Sequence, residues 1–115
     1  MSVTIFHNPA CTTSRKAVAA IRESGVEPEV VEYLKAGWTV PQLKGLLGAM
    51  SKSPRDILRV RGTPAEELGL TRSGVSDAAI LEAMTAHPVL VERPIVVTPK
   101  GTVLARPLEA LTPLL

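Results

Sequence analysis

The sequence predicts an α/β fold built on a mixed sheet, and three observations carry that expectation. Val3-Thr4-Ile5-Phe6 is a short β-branched and aromatic run, and it is followed by apolar residues at helical spacing and then by a second β run at residues 29–34. The middle of the chain, at about residues 39–86, carries only helical patterns, heavily punctuated by proline and capping residues. Two further β runs then flank Pro99-Lys100-Gly101, which reads as a hairpin turn.

In order, Val3 to Phe6 suits a half-buried strand, and Asn8-Pro9 turns the chain. Ser14, Ala17, Val18 and Ile21 then mark one face of a helix, with Gly25 as a left-handed stop. Glu29-Val30-Val31-Glu32-Tyr33-Leu34 returns as a strand, so the opening β-α-β unit calls for parallel strands joined by a right-handed crossover. Thr39-Val40-Pro41-Gln42 and Thr63-Pro64-Ala65-Glu66 match capping boxes, and Ser53-Pro54 and Ser76-Asp77 are further helix starts. Four short helices are therefore expected, at about 40–48, 54–60, 64–68 and 77–85, with Leu43, Leu46, Leu47, Ile57, Leu58, Ile80, Leu81 and Met84 facing the core. Residues 95–98 and 102–105 form the hairpin, and Pro107 opens a last helix through Leu111. That order, β-α-β, helical insertion, β-β-α, is that of a thioredoxin-like fold: one domain over residues 1–115 with an insertion at about 39–86. Pro94, just before the third strand, stands where such folds place a cis-proline facing the active cysteine.

Composition excludes several classes of function. With 115 residues and 45% hydrophobic content the chain can bury a core without disulfides or metal. The net charge of +2 is too weak an excess to call for nucleic acid. No apolar run approaches the ~18 residues of a membrane span, and the N-terminus lacks a signal-peptide pattern, so a cytoplasmic protein is expected. A lone cysteine makes no internal disulfide and stays reduced in that compartment. Cys11, His7 and His87 have no zinc-type spacing, and neither a metal nor a tightly bound cofactor is expected.

The chemistry centres on His7-Asn8-Pro9-Ala10-Cys11-Thr12-Thr13-Ser14-Arg15. Cys11 falls at the helix N-terminus, where backbone N–H groups lack partners and the dipole is positive. Such a setting lowers a thiol from ~8.5 into the range ~3.5–7.5 and so supplies a thiolate nucleophile at neutral pH. Arg15 and Lys16 add positive charge, Ser14 offers a hydroxyl, and His7 ends the strand close by. Arg59, Arg93 and Arg106 sit at segment ends, and a planar guanidinium is the residue of choice for gripping an oxyanion.

His7-Asn8-Pro9-Ala10-Cys11-x-x-Ser14-Arg15, Leu58-Arg59, Arg93-Pro94-Ile95-Val96-Val97-Thr98-Pro99 and Arg106-Pro107 occur in that order over nearly the whole chain. Together they resemble the glutaredoxin-coupled arsenate reductase family. The resemblance implies that Cys11 attacks arsenate to give a thiol-arsenate adduct, that Arg59, Arg93 and Arg106 hold the oxyanion, and that His7 helps keep the thiol ionised. It implies glutathione as the co-substrate that reduces the arsenic, and glutaredoxin as the partner that resolves the mixed disulfide before arsenite leaves. Some members carry a longer C-terminal tail than a chain ending at Leu115, and no role of such a tail is expected here.

Other readings of the same cysteine are distinguishable. A phosphatase-like arsenate reductase needs Cys-x5-Arg, and position 17 is alanine. An Spx-like regulator that binds RNA polymerase senses oxidation through Cys-x-x-Cys, and position 14 is serine. A glutathione-dependent thiol-disulfide oxidoreductase also needs one reactive cysteine, but its substrate has no tetrahedral oxyanion for three arginines to hold.

Overall fold

A computed structural model describes residues 2–115. In chain order its elements are β1 (Thr4–His7), α1 (Thr12–Glu23), β2 (Glu29–Glu32), the single turn α2 (Tyr33–Ala36), α3 (Val40–Met50), α4 (Asp77–Ala86), β3 (Ile95–Thr98) and β4 (Gly101–Leu104). Short 3-10 helices occupy Pro54–Ile57, Pro88–Leu90 and Leu108–Leu114. The chain divides into two compact units, one made of residues up to Ala36 together with Arg93–Leu115, the other of Gly37–Glu92.

The first unit is a four-stranded sheet in the order β2-β1-β3-β4. β1 and β2 are parallel and joined through α1, whereas β3 runs antiparallel to both β1 and β4, which is the thioredoxin-like mixed sheet. Val3, Ile5 and Val96 from the sheet, Ala17, Val18 and Ile21 from α1, and Ala105 and Leu111 near the C-terminus make one core cluster. The period of α1 explains its side of that cluster, because positions 14, 17, 18 and 21 repeat on one face. Gly25 (φ 94°) ends the helix, its N–H donating to the Arg22 carbonyl.

β2 stops at Glu32 rather than running through Leu34. Its partner β1 ends at His7, and beyond it the Asn8 N–H donates to Ser14 while Pro9 has no N–H to offer. Without a ladder, Tyr33 and Leu34 turn into α2. The hairpin is tighter than expected, with Thr98 paired to Gly101 across Pro99-Lys100 and the Thr98 hydroxyl accepting from the Lys100 and Gly101 N–H groups. The closing segment is 3-10 from Leu108, with Pro107 as its N-cap and Pro113 inside it.

In the second unit α3 opens on the full Thr39–Gln42 capping box, and the Ser76 hydroxyl caps α4. Two expected helices are cut short. The helix at 54–60 ends as a 3-10 turn at Ile57 because Leu58 bridges Val91, the Arg59 N–H donates to Leu90 and the Glu92 N–H to Ile57. The segment 64–68 forms one turn only. Thr63 caps Ala65 instead of the third residue, and Gly69 (φ 72°) reverses the chain as soon as that turn is complete.

The same 57–59 and 90–92 pairing sets the Arg59 Nη1 2.8 Å from the Glu92 carboxylate, with the side chains 18% and 25% exposed. Glu92→Ala leaves a partly buried guanidinium without its counter-charge, so a loss of about 1–2 kcal/mol is expected. Urea unfolding checks it through a lower midpoint at unchanged slope. Among the described residues, no helix is long and apolar enough to cross a membrane.

Candidate active site

The turn between β1 and α1 is built by Asn8, which is buried. Its side-chain Oδ1 accepts the Ala10 N–H at 3.0 Å and its carbonyl accepts the Cys11 N–H at 3.0 Å, an Asx-turn that delivers Cys11 to the N-cap of α1. Cys11 is extended (φ −93°, ψ 122°), and its carbonyl accepts the first helical bond, from Arg15. As the N-cap it stands at the positive end of the helix.

The arginines at the sulfur come from the other end of the chain through strand register. β3 and β4 pair Ile95 with Leu104, and the Ala105 N–H continues the ladder to the Pro94 carbonyl at 2.9 Å. One step further along both strands places Arg93 opposite Arg106. There Arg106 Nη1 donates to the Arg93 carbonyl at 3.1 Å and reaches the Cys11 Sγ at 3.8 Å. The peptide bonds before Pro94 and Pro107 are both cis. Burial pushes the Cys11 thiol up, but hydrogen bonds from the Ser14 backbone N–H, Arg93 and Arg106, together with the Arg93 charge, outweigh it and bring the thiol from 9.0 down to about 7. The Arg93 Nε is buried and has no hydrogen-bond partner.

His7 and Ser14 form a second layer of polar contacts. The Ser14 Oγ accepts the Asn8 N–H at 3.1 Å and lies 2.6 Å from His7 Nδ1. Burial, partly opposed by Glu32 and helped by Arg15 and Arg22, holds His7 below its ordinary 6.5, so the ring is neutral at pH 7. The serine hydroxyl is thus engaged with His7 and Asn8.

The ArsC family model matches residues 6–113, from the end of β1 through both arginines of the hairpin. The chain belongs to the ArsC family. It is 50% identical over 113 residues to the arsenate reductase ArsI2 of Synechocystis, covering 98% of this chain and 81% of that protein. It is 48% identical over 115 residues to an arsenate reductase of Rhizobium meliloti, covering 100% and 82%. Among solved structures, the arsenate reductase from Vibrio cholerae superposes with a TM-score of 0.94 at 38% identity, covering 100% of this chain and 98% of that one.

In this ArsC-family chain the first unit brings together Cys11, His7, Ser14, Arg93, Pro94 and Arg106. Arg59 lies in the second unit, ion-paired to Glu92. Sequence reasoning passed over two functional neighbours. Asn8 was read only as a turn residue, though an Asn before Pro in a strand-to-helix loop is itself an Asx-turn signal. Glu92 carried no local signal, because its link to Arg59 depends on pairing across 33 residues. Arg15, expected to add charge at the sulfur, instead braces the loop by donating to the Pro9 carbonyl at 2.7 Å and to the Thr12 hydroxyl at 3.2 Å.

A thiol near 7 has a visible pH signature. Alkylation of Cys11 by iodoacetamide is expected to rise with pH to a midpoint at about 7, and unfolding in urea should move that midpoint up to ~8.5. The sign for stability follows. The folded value lies below the unfolded one, so this group's contribution is complete above the unfolded value and is lost as pH falls through about 7.

Proposed function

We propose that this chain reduces arsenate to arsenite, with Cys11 as the nucleophile and glutathione and glutaredoxin as external reductants. The observation that carries the reading is a sulfur held near neutrality by a backbone N–H and two guanidinium groups, one of them 3.8 Å away. The same groups that hold a thiolate suit a tetrahedral oxyanion brought against it. The buried, unpartnered Nε of Arg93 is a donor that such an oxyanion would satisfy.

In this reading the Cys11 thiolate attacks arsenic, an As–O bond breaks, and the oxygen leaves as water after protonation, giving an S–As(V) adduct. Reduction to As(III) takes two electrons. Forming one disulfide supplies two, but that needs two thiols and the chain has one cysteine. A glutathione thiolate therefore attacks the Cys11 sulfur. The S–S bond forms, the S–As pair stays on arsenic, and two protons complete trivalent arsenic acid. A glutaredoxin thiolate then takes the glutathionyl sulfur, restoring the Cys11 thiolate, and arsenite leaves.

His7 acts through Ser14 by fixing the loop that presents the sulfur. The resemblance also implies an oxyanion contact from Arg59, whose guanidinium is ion-paired to Glu92 in this chain. A reduced glutathione pool fits a cytoplasmic site of action. Arsenite formation by the purified protein, with arsenate, glutathione and glutaredoxin omitted in turn, tests the reading. Loss of product on each omission supports it, and turnover without any added thiol overturns it.

A further inference from the structure

A single-cysteine mechanism leaves the external thiol to be seated, and a groove beside Arg106 has the chemistry to seat it. We propose that this groove, lined by Thr13, Lys16, Arg106, Pro107, Leu108 and Glu109, is the docking subsite for a tripeptide thiol carrying two carboxylates and one ammonium, namely glutathione. This inference rests on the thiol-dependent reading above.

The cavity is about 440 Å³, within the ~300–1,000 Å³ of small-molecule sites. Its wall is shared with the reactive centre, since Arg106 both lines it and reaches the Cys11 Sγ at 3.8 Å. A molecule bound there touches the side chain that contacts the sulfur. Its charged lining residues are Lys16, Arg106 and Glu109, two cations and one anion, which is the complement of a ligand with two carboxylates and one ammonium. Among the described residues neither Lys16 nor Glu109 has an ion pair or a side-chain hydrogen bond, so both charges are available. Lys16 follows Cys11 by five residues, which is ~7.5 Å along the helix, and an extended tripeptide spans ~10 Å. The length of the ligand thus matches the axial separation of Cys11 from Lys16.

A larger groove on the other side of α1, about 510 Å³ and lined by His7, Arg15, Arg22 and Glu23, fits less well. Its lining does not include Arg106, whose Nη1 stands 3.8 Å from the sulfur.

Two measurements test the subsite. In steady state, Lys16→Glu and Glu109→Lys should each raise the KM for glutathione by about tenfold or more, leaving the KM for 2-mercaptoethanol, which has no charges to recognise, unchanged. In the wild-type protein, S-methylglutathione, which binds but cannot reduce, should shift the backbone amide resonances of Thr13, Lys16 and Glu109. Amide shifts confined to other residues, or an unaltered glutathione KM in both variants, overturn the subsite while thiol-dependent turnover still stands. Shifts at these three amides in a protein whose turnover ignores glutathione would instead keep the subsite and remove the catalytic reading.

Discussion

Cys11→Ser is expected to reduce arsenite formation to background, a loss of roughly 10⁴-fold or more. The reason is ionisation. The site lowers the thiol to about 7, so close to half of it is thiolate at neutral pH. A serine hydroxyl starts far above any value the same N–H and guanidinium groups can bring into range, and oxygen cannot take the place of sulfur in the disulfide that delivers the electrons. No second cysteine exists to substitute. The exchange is nearly isosteric at a residue 9% exposed, so the variant should fold, and circular dichroism with arsenite quantification separates lost chemistry from lost structure. Turnover retained by the serine variant would remove the mechanism.

The half of this site that is local was legible in the sequence. A β-branched run, Asn8-Pro9 and a helical period fix the strand, turn and helix within about twenty residues, and they put Cys11 at the N-cap. The other half depends on register. Pairing residues 95–98 with 102–105 would have set Arg93 one step out from Arg106. The observed Thr98–Gly101 pair closes a two-residue turn and aligns them. The truncated helices in 54–68 have the same origin, since caps and apolar spacing favour helix locally while the bridge from Leu58 to Val91 imposes extended backbone. The direction of the Ser14 hydroxyl was also out of reach. Both the sulfur and His7 are chemically suitable partners for it, and only the folded turn gives the His7 contact of 2.6 Å.

Arg93→Ala is expected to lower arsenate turnover by about 10²–10³-fold, the usual consequence of deleting one charged donor aimed at a reacting oxyanion. Two effects act together. The Cys11 thiol loses a hydrogen bond and a nearby positive charge, so its alkylation midpoint must move up from about 7. Substrate also loses a planar donor at the reacting centre. Raising the pH restores the thiolate but not the donor, so activity at alkaline pH should recover only in part. Arg93→Lys returns the charge without the paired N–H groups and should fall between the two. The substitution also separates arsenate reduction from plain disulfide exchange, because a disulfide presents no oxyanion to hold. If Arg93→Ala slows reduction of a small glutathione mixed disulfide as severely as it slows arsenate turnover, after correction for the thiolate fraction, Arg93 serves the sulfur alone and the oxyanion role fails.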